Sequence, residues 1–298
     1  MASLLSTLMR GQFTLLNPLL QALDTQKARK LQEGLGRLQQ RAVSGRVHFQ
    51  EEPFELFEAS WAWPKTQEPA YALLYLHGGA YTAGELEYSK GFGGAMADYF
   101  QAAVLCVAYR LAPEHPFPAA LEDALMAYQK ALEHFAPEKI AFVGESAGGG
   151  LCYALAQKCR DDKIPLPAAI LTASPWCDLN MQRDVDEACR LDPLLSCDGL
   201  RYSAQQYAGT YDRKNPMISP LFGDLKGLPD SLMFVGTDEV LMEDAVLMAD
   251  RLNSAGSPCE LVVKEGMWHA YVLYGVPESK EAMQQMHEFL QERIHGDP

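Results

Sequence analysis

Short apolar runs separated by helix-length segments fill the chain from residue 71 onward, and this alternation limits the fold more than any other feature. Residues 71–76, 103–108, 140–143, 168–173, 231–235 and 260–263 read as strands. Residues 88–99, 119–134, 147–160, 243–255 and 278–293 read as helices. Apolar strands of this length must be covered on both faces, which predicts an α/β fold with a mostly parallel central sheet. An earlier segment, 47–57, alternates like strands. The rhythm fails between Ser174 and Leu228, where helix candidates at 185–190 and 200–211 replace a simple crossover. Insertions of that length between sheet strands commonly serve function.

Residues 1–40 carry leucines at 4, 5, 8, 15, 16, 19, 20 and 23, at helical spacing, with Pro18 as the expected break. This apolar face precedes every strand and is expected to pack on something later in the chain. The expected organisation is therefore N-terminal helices at 1–45 and a main α/β domain at 46–298 with an insertion around 177–228 that, with the first helices, could cover one edge of the sheet. The N-terminus has no basic leader, and Arg10 splits its apolar part, so no signal peptide is expected.

The chain has 298 residues with 25 Lys and Arg against 39 Asp and Glu, a formal charge of −14. That balance argues against nucleic acid and gives no general attraction to anionic membranes. No stable membrane association is expected, because the first helix lacks the basic face of interfacial helices. Seven cysteines, an odd count without a C-x-x-C pair, suit a reduced, cytoplasmic setting. No metal pattern and no Walker loop occurs, and Gly91, Gly93 and Gly94 lack dinucleotide-loop spacing, so no cofactor and no metal are expected.

Gly144-Glu145-Ser146-Ala147-Gly148 fits G-x-S-x-G where a strand hands over to a helix. A nucleophilic serine there needs a strained backbone and small neighbours, and the helix N-terminus beside it suits a developing oxyanion. His77-Gly78-Gly79-Ala80 follows an earlier strand and reads as an oxyanion loop. His269, in the loop after the last strand, is the candidate base. Asp238, just past the preceding strand, is the candidate acid, with Glu239 expected to point elsewhere and Asp244 expected to cap a helix. The order Ser146, Asp238, His269 is that of α/β hydrolases. Trp176, Tyr202, Tyr207, Tyr211 and Met217 are candidates for lining an acyl pocket.

With these motifs, the stretch "YRLAPEHPFPAALEDA" (109–124), "SPWCDL" (174–179), "SPLFGDLKGLP" (219–229) and "GTDEVL" (236–241) resemble the hormone-sensitive lipase family of α/β-hydrolase carboxylesterases across residues 71–275. The resemblance implies an α/β-hydrolase fold with a helical cap and a serine carboxylesterase. Ser146 would be nucleophile, His269 base and acid, and Asp238 the orienting carboxylate. Backbone N–H groups of Gly79, Ala80 and Ala147 would form the oxyanion hole. The expected reaction is hydrolysis of short- to medium-chain acyl esters, with a lactone hydrolase, an amidase or a non-catalytic receptor as alternatives. A small-molecule ester is the expected partner, and the fold is compatible with a homodimer. Two positions depart from the family pattern: Ala80 replaces a glycine, and Glu145 replaces the usual Asp.

Overall fold

Eight strands form one sheet in the order β1-β2-β4-β3-β5-β6-β7-β8. They are β1 (Val47–Pro53), β2 (Glu58–Pro64), β3 (Ala72–Leu76), β4 (Ala103–Ala108), β5 (Ile140–Glu145), β6 (Ala169–Ala173), β7 (Ser231–Gly236) and β8 (Cys259–Lys264). The structure is a computed structural model, and it describes residues 2–183 and 185–294. β2 runs antiparallel to both its neighbours, β1 and β4; the remaining pairs are parallel. β2 is the strand that alternation alone did not mark: its sequence, EASWAWP, buries both faces over Ala59–Ala62 and so shows no period of two.

The helices are α1 (Leu4–Gln21), α2 (Thr25–Val43), α3 (Leu86–Phe100), α4 (Ala119–Leu132), α5 (Ala147–Asp161), α6 (Asp186–Leu191), α7 (Cys197–Ala208), α8 (Met242–Ser254) and α9 (Pro277–Ile294). Successive strand side chains go to opposite faces. Leu74 faces the core that also holds Leu121 of α4, Leu151 of α5 and Met248 of α8. Leu73 and Tyr75 face the core that also holds Met96 of α3 and Leu290 of α9. The glycine cluster in α3 is a packing device: a Cβ on Gly91 would lie 2.8 Å from the Gly36 Cα, so α2 and α3 cross at their backbones. Glu33 of α2 completes that crossing by accepting the N–H groups of Glu87 and Tyr88 at the start of α3.

The N-terminal segment differs from expectation twice. Pro18 lies inside α1 and does not break it; the helix ends three residues later, and Asp24 caps α2 by accepting the Lys27 N–H at 2.8 Å. The leucine face is not buried. Leu4, Leu5, Leu8, Leu15, Leu16 and Leu19 are exposed, Leu23 is half-buried, and the Leu20 side chain lies outside the described residues, as does His295. The face that docks is the opposite one. Phe13 packs edge-on against Trp268 and Tyr274, Ser6 donates to Glu278 at 2.6 Å, and Asn17 donates to the Pro193 carbonyl at 2.9 Å. Cys189 and Cys197 form a disulfide between α6 and the start of α7, contrary to the expectation of reduced thiols throughout; the other five cysteines are free and buried.

Candidate active site

The carboxyl ends of β3 and β5 and the loop after β8 converge on one cavity of about 330 Å³. That edge of an open parallel sheet is where ligand sites form. Ser146 sits between β5 and α5 with φ 55° and ψ −122°, outside the favoured regions for a residue with a Cβ. The surrounding glycines hold it there. A Cβ on Gly148 would strike the Leu76 and His77 carbonyls, and one on Gly144 would reach within 2.9 Å of the Cys152 sulfur. Gly149 and Gly150 let α5 approach Pro175 and Trp176.

His269 is buried on the cavity wall, and its Nδ1 lies 2.9 Å from Glu239 Oε2. Glu239, not Asp238, holds this position. Asp238 turns outward: its Oδ2 pairs with Arg10 at 2.8 Å, and Thr237 Oγ1 donates to its Oδ1 at 2.8 Å. The physical reason is the sharp turn after β7. The Asp238 N–H is tied to the Met267 carbonyl, and the next residue folds back so that its longer side chain returns beneath the strand end. There Glu239 Oε1 accepts the Gly236 N–H at 2.6 Å and the Ser174 hydroxyl at 2.7 Å. Ser174 in turn accepts the Ala270 N–H at 2.9 Å, which fixes the residue after His269. Burial alone would lower the His269 pKa; the hydrogen bond and charge of Glu239, with the charges of Asp192 and Glu145, hold it above its ordinary value of 6.5.

The loop after β3 places Gly79, Ala80 and Tyr81 at positive φ, with Gly79 at 116° and Ala80 at 53°. Among the described residues none accepts a hydrogen bond from the N–H of Gly79, Ala80 or Ala147. Gly78 N–H, by contrast, donates to Glu145 Oε1 at 2.6 Å, so the residue before Ser146 clamps the loop across the cavity floor. Burial raises the Glu145 carboxyl to about 7, although the Gly78 N–H and the Tyr88 hydroxyl pull it back. His77 is a neutral spacer under this loop: burial lowers its pKa to about 4, and its ring stacks on Tyr109 at 4.3 Å. The 109–124 motif braces the same place. The Tyr109 hydroxyl donates to the His77 carbonyl at 2.5 Å, and Arg110 grips buried Asp123 with paired bonds.

The aromatic candidates for the pocket lie elsewhere. Trp176 and Tyr207 are fully buried core residues, with Tyr207 stacked on Tyr81 at 3.7 Å; Tyr202 and Tyr211 are exposed, and Met217 packs on the core edge. The cavity is walled by Leu194, Leu195 and Leu200 from the α6–α7 region and by Gln21, Ala28 and Gln32 from α1 and α2. Those two segments are joined directly, since Gln21 donates to the Leu194 carbonyl at 2.8 Å and accepts from Ser196 at 2.7 Å. Asp192 went unremarked in the sequence. It is buried and accepts N–H groups from Leu194, Leu195 and Val240, which ties the cavity wall to the residue after Glu239. Asp244 does not cap its own helix; its Oδ2 accepts the N–H groups of Cys177 and Asp178. Among the described residues no cluster of His, Cys, Asp and Glu could hold a metal ion, and no helix is long and apolar enough to cross a membrane.

Residues 73–273 match the family model described as alpha/beta hydrolase fold. An acetyl-hydrolase of Streptomyces hygroscopicus is 39% identical over 236 residues, which is 78% of this chain and 79% of that protein. An ethyl acetate hydrolase of Pseudomonas putida is 31% identical, over 78% of this chain and 77% of that protein. Among solved structures, the esterase EstE5, soaked with p-nitrophenyl butyrate, superposes with a TM-score of 0.90 at 30% identity, over 99% of this chain and 100% of that one.

Proposed function

This chain belongs to the hormone-sensitive lipase group of α/β hydrolases and is an esterase, and from that premise we propose that it hydrolyses short- to medium-chain acyl esters through Ser146, His269 and Glu239. The observation that carries this reading is the buried Glu239–His269 bond on the wall of the cavity that also holds Ser146.

Glu239 occupies Nδ1 of His269 and leaves Nε2 to take the Ser146 proton. Ser146 Oγ attacks the ester carbonyl, and the developing oxyanion draws the free N–H groups of Gly79, Ala80 and Ala147. His269, now protonated and stabilised by Glu239, gives its proton to the departing alcohol. Water then attacks the acyl-enzyme by the same route, and Ser146 is restored. The carboxylate of Glu239 is fully buried and already accepts two further hydrogen bonds, so it holds one position throughout.

The leucine wall and a volume near 330 Å³ favour short acyl groups. The names of the acetyl-hydrolase and ethyl acetate hydrolase relatives support the short end of that range. A panel of p-nitrophenyl esters of graded acyl length tests the proposal. Highest kcat/KM on acetyl to octanoyl esters is expected. Faster turnover of long-chain esters, or of lactones or amides, would contradict it.

A further inference from the structure

We propose that α1 and α2 dock the protein onto an anionic lipid surface. The leucines that do not pack on the body line an exposed stripe on each helix. Leu4, Leu8, Leu15 and Leu19, at i, i+4, i+11 and i+15, fall on one stripe of α1 and are 60 to 80% exposed. This is not a loosely placed helix. Its inner face is fixed by Ser6 on Glu278, Phe13 on Trp268 and Tyr274, and Asn17 on the Pro193 carbonyl.

The second helix repeats the pattern and adds charge. Leu31, Leu35 and Leu38 form an exposed stripe at i, i+4 and i+7. Lys30, Arg37 and Arg41, at i, i+7 and i+11, are exposed on the adjacent stripe. Of the six Lys and Arg in residues 1–43, Arg10, Lys27 and Arg29 are paired with Asp238, Asp24 and Glu114, so the positive charge of the outer face comes from Lys30, Arg37 and Arg41. An apolar stripe beside a basic one is the form of a helix that lies in a lipid interface with its leucines among acyl chains and its cations at anionic headgroups. The acidic balance of the rest of the chain favours turning this end toward an anionic surface.

A second copy is the poorer occupant. A two-fold interface places the same patch against itself, so the basic stripes of two copies would repel where an anionic surface neutralises them. The docked helices also supply Gln21, Ala28 and Gln32 to the cavity, which places the site near the lipid surface.

Sedimentation of the full chain with vesicles tests the proposal. Phosphatidylcholine vesicles containing phosphatidylglycerol should bind it, phosphatidylcholine alone less, and added salt should weaken the difference. The triple variant Leu8→Ser, Leu15→Ser, Leu19→Ser should lose about tenfold or more in partitioning. Arg37→Glu with Arg41→Glu should abolish the preference for phosphatidylglycerol. Both variants should retain the wild-type rate on a dissolved butyrate ester, because none of these residues lines the cavity. Should the triple variant misfold, Leu15→Trp gives an independent reading: its fluorescence should shift to the blue when phosphatidylglycerol vesicles are added. Failure of the wild type to bind such vesicles, or binding unaffected by the leucine variant, would overturn the proposal. So would a concentration-dependent dimer in light scattering that the leucine variant abolishes.

Discussion

Glu239 Oε2 lies 2.9 Å from His269 Nδ1, while Asp238, one residue earlier, is paired with Arg10 at the surface. Two neighbouring carboxylates therefore have separable roles. Glu239→Gln should lower kcat by about 10³-fold or more, as loss of the orienting carboxylate does in such triads. Asp238→Asn should cost at most a few-fold, because it removes a half-exposed ion pair. Steady-state kinetics on one butyrate ester decides between them, and reversed effects would refute the assignment.

The same pair sets the pH profile. His269 must be neutral to accept a proton, so kcat/KM falls as pH drops through its pKa. Glu239 and the nearby carboxylates hold that pKa above 6.5, which places the acid limb above pH 6.5. In Glu239→Gln the residual activity should show this limb moved to lower pH. A limb that stays in place would mean that Glu239 carries no charge beside the imidazole.

Glu145 makes a different prediction, read in stability. Burial raises its carboxyl from 4.5 to about 7 in the folded chain. Between those values the unfolded chain has lost the proton and the folded chain keeps it, so stability falls as pH rises through this window and levels off above it. Glu145→Gln preserves an acceptor for the Gly78 N–H and removes the titration. The Tm of the variant should therefore gain on wild type by a few degrees between about pH 5 and about pH 8. Parallel Tm curves would contradict the protonated carboxyl.

Gly148→Ala tests the elbow as packing. The added methyl would meet the Leu76 and His77 carbonyls, which cannot move without shifting the loop of Gly78 and Gly79. A loss of about 1 to 3 kcal/mol in urea unfolding, or insoluble protein, is expected. A stable and fully active variant would show that the helix can back away from the sheet.

The sheet and the position of Ser146 were legible because they depend on local pattern: apolar strands of fixed length, glycines at a strand–helix junction, and a histidine after the last strand. The acid was not. Asp238 and Glu239 both follow β7, and the choice turns on a tight turn fixed by the Met267 carbonyl and on donors supplied by the Gly236 N–H and by the hydroxyl of Ser174, which lies far away in sequence. Ser174 stood inside a recognised motif, SPWCDL, but its role appears only when β6 is set beside β7. Asp192 had no signal, since its partners are backbone N–H groups brought in by the cap loop. The leucine face of α1 illustrates the opposite error. Helical periodicity identifies an apolar stripe and says nothing of what covers it; here Phe13, Ser6 and Asn17 fix the helix, and the leucines remain outside.

The central claim is that Ser146 becomes acylated with help from a histidine oriented by Glu239. Treatment with a fluorophosphonate, followed by peptide mass spectrometry, tests it most directly. A single adduct on Ser146 is predicted, forming far more slowly in Glu239→Gln than in Asp238→Asn. An adduct on another serine, or equal rates in the two variants, would contradict it.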